Sequence, residues 1–198
     1  MKADKVGARR MMTADEKNKV FKNLSSNRLA RDVLAAYRER ILGGLVENDP
    51  SREELTRAFD NAVPTDSYLV FMGFCPGADF KRRQDTRWRS VGICEFEFDG
   101  SETQVRRFAT IRVGDQIILK KNQIRGKTME LYGHGKVIGV EYSAEGRRVL
   151  KMDWHPDEKI LEVPLMGCTP TVSLKKTVAV LNAMPPEFHE WLYQGQFK

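Results

Sequence analysis

The sequence predicts an α+β protein: a small, mostly antiparallel β-barrel with a helical N-terminal extension in front of it and helices at its C-terminal end. Three observations carry that expectation. Apolar side chains recur three or four apart behind helix-start signals in the first third, seven or so short β-prone runs parted by turn residues fill the middle, and helical spacing returns at the end. The boundaries follow as a basic tail over 1–12, a helical extension over 13–63, and the barrel with its terminal helices over 64–198.

Length and composition bound the rest. A chain of 198 residues suffices for one well-cored domain and an appendage. With 41% apolar and 30% charged residues it reads as a soluble globular protein, and no apolar run nears the roughly 18 residues that would cross a bilayer. The start, Met1 to Arg10, is basic without an apolar stretch behind it, so it is no secretory signal and a cytoplasmic setting is expected. Cys75, Cys94 and Cys168 are too few and too scattered for a disulfide framework or a CxxC zinc site, and read as small buried hydrophobes. The net charge of +6 is uneven: residues 1–40 carry 11 Lys and Arg against 5 acids, 41–100 carry 7 against 11, and 101–198 carry 15 against 11. Basic surface placed in this way suits a polyanionic partner.

The elements follow in order. Thr13 to Glu16 has the form of a capping box and starts a helix over about 14–24. A second helix, 28–42, puts Leu29, Val33, Tyr37 and Ile41 on one face and ends at Gly43-Gly44; no helix-turn-helix is convincing there. Ser51 starts a third, to Phe59, and Pro64 stops it. Tyr68 to Phe74 is the first strand. Between Lys81 and Arg89 lie five cations, one acid and Trp88 with no apolar period, which predicts an exposed loop beside the barrel. It is either a solvated connection or a grip on phosphate with an aromatic beside it. Strands are then expected from Cys94 to Phe98, 116–120, 128–132, 135–142, 149–154 and 160–163, with turns at Asp99-Gly100 and Glu145-Gly146. Ser173 is expected to cap a helix over 174–184, and Pro186 to open a last one with Phe188, Trp191 and Leu192 inward.

The spacing Phe108-x-x-Ile111-x-x-Gly114-Asp115-x-Ile117-x-Leu119, then Gly133-x-Gly135-x-Val137-x-Gly139, then Val149 to Asp153-Trp154, resembles the PUA-like superfamily. More narrowly it resembles the EVE-type modules that accompany prokaryotic restriction and other defence proteins, over roughly residues 67–165. The resemblance implies a five- or six-stranded barrel whose pocket receives a flipped, often modified, base between aromatic walls. On this chain it names Trp88 and Trp154 as walls with Tyr68 and Tyr132 behind them; His134, on pliant backbone between two glycines, is a candidate for the pocket mouth. Lys81, Arg82, Arg83, Arg87 and Arg89 would hold phosphates. The helical extension has no counterpart in the family.

Signals for catalysis are lacking. His134, His155 and His189 have no carboxylate at metal-ligand spacing, no nucleophile elbow or phosphate-cradling loop occurs, and Pro156 to Lys159 crowds nuclease-like acids into one turn. The chain is therefore expected to bind DNA or RNA, with a modified base as one option, and to use no cofactor, metal or membrane. An alternative is an interaction subunit that docks a partner, or a second copy, through residues 13–63. An enzyme acting on a nucleotide or nucleic acid is the third reading.

Overall fold

The computed structural model describes residues 9–75, 79–96, 101–123, 126–156 and 159–193. The chain forms two compact units, Met1–Asp66 and Ser67–Lys198. No helix among the described residues is long and apolar enough to cross a membrane.

The first unit holds α1 (Ala14–Ser26), α2 (Arg31–Gly43) and α3 (Arg52–Asn61). The capping box is formed: Glu16 N–H donates to the Thr13 hydroxyl at 3.3 Å, and Thr13 N–H to the Glu16 carboxylate at 3.0 Å. Val20, Leu34, Leu42, Leu45, Leu55 and Phe59 make a core of their own, onto which Leu29, Tyr37 and Ile41 pack. The apolar stripe of α2 is thus used up largely inside its own unit, leaving Val33 half exposed. The arginines of α2 are tied down as well. Arg31 approaches Asp66 (4.0 Å), Arg38 approaches Asp60 (3.8 Å), and Arg40 lies over the Tyr37 ring (5.4 Å).

The second unit corrects the predicted barrel. It holds a seven-stranded open sheet of β1 (Tyr68–Gly73), β2 (Ile93–Glu95), β3 (Gln116–Asn122), β4 (Thr128–Tyr142), β5 (Arg148–Trp154), β6 (Leu161–Pro164) and β7 (Val172–Lys176). The order is β2-β5-β4-β3-β1-β7, with β6 on the other half of β4. All neighbours are antiparallel except β1 and β3. The short β2 and the late strand β7 end the row without meeting each other. Helices α4 (Asp85–Val91), α5 (Glu102–Ala109), α6 (Thr177–Ala183) and α7 (Pro186–Tyr193) complete the unit.

Burial on both faces explains the open sheet. Along β1, Val70 and Met72 join one apolar cluster with Trp88, Phe108 and Ile111, while Leu69 and Phe71 join a second with Val180, Phe188 and Trp191. A strand covered on both sides reads as an unbroken apolar run instead of an alternation, which is what Leu69 to Met72 shows. The two runs predicted over 128–132 and 135–142 are one strand, β4, which carries a register shift opposite Leu119/Lys120 and another at Val137/Gly139. The helix predicted from Leu174 starts at Thr177, because residues 172–176 pair with β1 and Ser173 donates to the Pro170 carbonyl. The predicted turn at Asp99-Gly100 lies outside the described residues.

The Gly114-Asp115 turn is held by its buried carboxylate. Asp115 accepts from Tyr68 N–H (2.9 Å) and Arg112 N–H (2.8 Å), and its carbonyl accepts from Val137 N–H (2.9 Å). One side chain thereby sets the start of β1 against the start of β3. Asp115→Ala strands two part-buried backbone donors and is expected to cost about 2 kcal/mol, read in urea unfolding. Asp115→Asn, which keeps one acceptor oxygen, should cost less.

Candidate functional site

The basic stretch 80–91 is not the expected loop. A 3-10 turn, Phe80–Arg82, leads into α4, because the indole of Trp88 goes inward and is fully buried among Val70, Met72, Phe74, Cys94 and Leu150. Gly92, at φ 68°, ends α4 in the left-handed conformation that glycine adopts at little cost. Trp88 is therefore a core residue and no wall of a pocket.

Trp154 ends β5 and is partly buried. Its indole N–H donates to the Trp88 carbonyl (3.1 Å), which also accepts from Gly92 N–H, and to the Ile93 carbonyl (3.2 Å), so the polar edge points to the end of α4. Under the ring lies Gly135, its register partner on β4. A Cβ there would sit 2.6 Å from a ring carbon of Trp154 and 2.8 Å from the Asp153 carbonyl oxygen. The indole lies against bare backbone, which only glycine permits.

A cavity of about 590 Å³ opens beside this ring, within the range of roughly 300–1,000 Å³ typical of small-ligand sites. Trp154, Tyr132 and His155 supply its aromatic groups, Arg83 and Arg89 its cations, and Thr86 and Ser90 its hydroxyls, with Asp85, Pro156 and Ile160 completing the lining. Burial, and then the hydrogen bond donated to Glu130 (2.6 Å), push the Tyr132 phenol up to about 12, so the ring is neutral near pH 7. The Arg83 guanidinium grips Asp85 through two bonds, 2.7 and 2.5 Å, and this raises its pKa above the ordinary arginine value. The one carboxylate in the lining is thereby engaged. Arg89 donates to the His155 carbonyl (3.2 Å) and the Pro156 carbonyl (3.4 Å), which holds the segment after β5 against α4.

The remaining sequence-predicted residues separate. His134 is buried, its ring stacked on that of His155 at 4.7 Å and 19°. Its Nε2 donates to the Trp191 carbonyl (3.1 Å), which can only accept, and its Nδ1 accepts from the Gln116 amide (3.1 Å). It backs the cavity wall that His155 faces. Tyr68 lies elsewhere, in a smaller hollow of about 230 Å³ with Gln116, Lys136 and Tyr193. Of the expected phosphate-holding residues, Arg87 pairs with Glu95, while Lys81 and Arg82 are exposed on the 3-10 turn before α4 and outside the cavity lining. Sequence reading missed Thr86, Ser90, His155 and Ile160. The first two fall on one side of α4 with Arg89 only once 85–91 is recognised as helical.

Among the described residues no three His, Cys, Asp or Glu side chains gather as a metal site. The lining can stack on a flat ring, attract negative charge and donate hydrogen bonds. No protein-family model, curated protein or solved structure matches this chain.

Proposed function

We propose that the chain binds nucleic acid and receives one unstacked base in the cavity beside Trp154. The observation that carries this reading is the lining itself: the Trp154, Tyr132 and His155 rings stand with two guanidinium groups in a cavity whose single carboxylate is engaged by Arg83. Aromatic faces with cations beside them are the usual means of holding a base and its backbone, and a stacked base contributes about 1–3 kcal/mol. Trp154 and Tyr132 are residues that the resemblance to EVE-type modules also singles out, which supports the reading; Trp88 drops out of it. The cytoplasmic setting expected from the sequence suits such a ligand.

The test compares two labelled oligonucleotides that are identical except that one carries an abasic site where the other has an extrahelical base, a modified cytosine included. Wild type is expected to prefer the intact one. Trp154→Ala should remove roughly tenfold of that preference and leave the salt-sensitive background binding in place. Equal affinity of wild type for the intact and abasic strands would overturn the base-receiving cavity. Tryptophan fluorescence gives a second signal, because Trp88 and Trp191 are buried and quenching by the base would come chiefly from Trp154.

A further inference from the structure

Tyr132 belongs to the cavity lining and also to an aromatic group outside it. Its ring lies 5.0 Å from Phe74 and 5.8 Å from Phe80, and Phe74 and Phe80 are 6.2 Å apart. Cations are set upon this group. The Arg83 guanidinium lies 4.7 Å from the Phe80 ring centre, and the Lys121 ammonium, from β3, lies 4.3 Å from the same centre. Lys81 and Arg82 extend from the adjoining turn into solvent.

Nearby acids offset part of this charge, and among the described ones only Asp85 forms an ion pair with one of these cations. Asp85 is committed to Arg83, Glu130 accepts from the Tyr132 hydroxyl, and Asp79 accepts from the Lys81 backbone N–H. No carboxylate among the described residues pairs with Lys81, Arg82 or Lys121. Cations that include Arg83 of the cavity lining and others outside it number more than a single mononucleotide's phosphate needs and suit successive phosphates of a strand.

We infer that a phosphodiester backbone leaves the cavity across the Tyr132–Phe80 aromatic group, with Lys121, Lys81 and Arg82 holding its phosphates. This rests on the base-receiving reading of the cavity and adds what the cavity alone does not require, a polymeric ligand. Lys121 stands about forty positions from Lys81 and reaches the basic stretch only because β3 runs beside β1.

Binding of a labelled single-stranded oligonucleotide and of the free nucleoside would be measured for wild type, Lys121→Gln, the double variant Lys81→Gln/Arg82→Gln, and Lys151→Gln as a control of equal charge change. Each phosphate contact removed should lower the slope of log K against log salt by about 0.7. Lys121→Gln is expected to weaken the oligonucleotide roughly fivefold whatever its sequence, with nucleoside binding unchanged and Lys151→Gln neutral. The double variant, exposed and clear of the core, should act in the same direction. An unchanged slope in both Lys121→Gln and the double variant, or a loss of nucleoside binding equal to that of the oligonucleotide, would overturn this backbone path. Binding of the nucleoside by wild type without binding of the oligonucleotide would overturn the path and leave the cavity standing; binding of neither would remove both.

Discussion

Trp88→Ala is expected to lower the unfolding free energy of the 67–198 unit by about 4 kcal/mol and its Tm by roughly 10 °C. The indole is fully buried in the cluster that β1, β3, β4 and β5 share, so its loss opens a void that packed strands cannot readily close. Its N–H has no hydrogen-bond partner among the described residues, so part of what the side chain contributes by burial is offset by an unsatisfied donor. Trp88→Phe removes that donor along with a smaller volume and should cost much less than alanine. Calorimetry of the three proteins decides the matter. A base-stacking Trp88 would give the reverse pattern, with Tm unmoved by alanine and nucleic-acid selectivity lost.

Gly135→Ala is the second large effect, about 3 kcal/mol of destabilisation accompanied by loss of base preference. The added methyl meets a Trp154 ring carbon at 2.6 Å, the Asp153 carbonyl oxygen at 2.8 Å and the Trp154 Cα at 2.9 Å. Two of these are backbone atoms in a paired strand, so rotating a side chain does not relieve the crowding. The ring must lift, which pulls its N–H from the Trp88 and Ile93 carbonyls at the end of α4. The double variant Gly135→Ala/Trp154→Ala should recover part of the stability, since it removes one of the three clashing atoms and not the other two. If the single and double variants unfold at the same denaturant concentration, the ring contact is not the source of the strain.

Comparison of residue pattern with structure shows where local signals suffice. The capping box at Thr13, the stop after α2 and Pro186 at the start of α7 concern groups within one turn of each other, and they were legible. Trp154 and Tyr132 came to notice only through the resemblance, and both line the cavity; no local spacing singles them out. The open sheet was not legible. Short strands with frequent turns satisfy a barrel or a two-sided sheet equally well, and the distinguishing sign, the unbroken burial of Leu69 to Met72, needs the helices on both sides to be known. Trp88 was misread for a related reason: five cations in the stretch from Lys81 to Arg89 hide a seven-residue helix whose single large apolar side chain is too little for a period. Lys121 and Phe80 could not be brought together from sequence, because a parallel strand pair places them side by side.

The placement of β1 bears on how the chain reaches this structure. Its first residue depends on Asp115, 47 positions on, and the hydroxyl of Thr177 donates to the Ser67 carbonyl across 110 positions. During synthesis, an apolar strand made early must therefore wait for partners made late, while the three-helix unit before it already has its own core. Until β3 and then β7 emerge, Leu69 to Met72 present unpaired backbone and apolar side chains together. That interval, and not the finished fold, is where this protein is most exposed to aggregation and most dependent on whatever shields nascent chains.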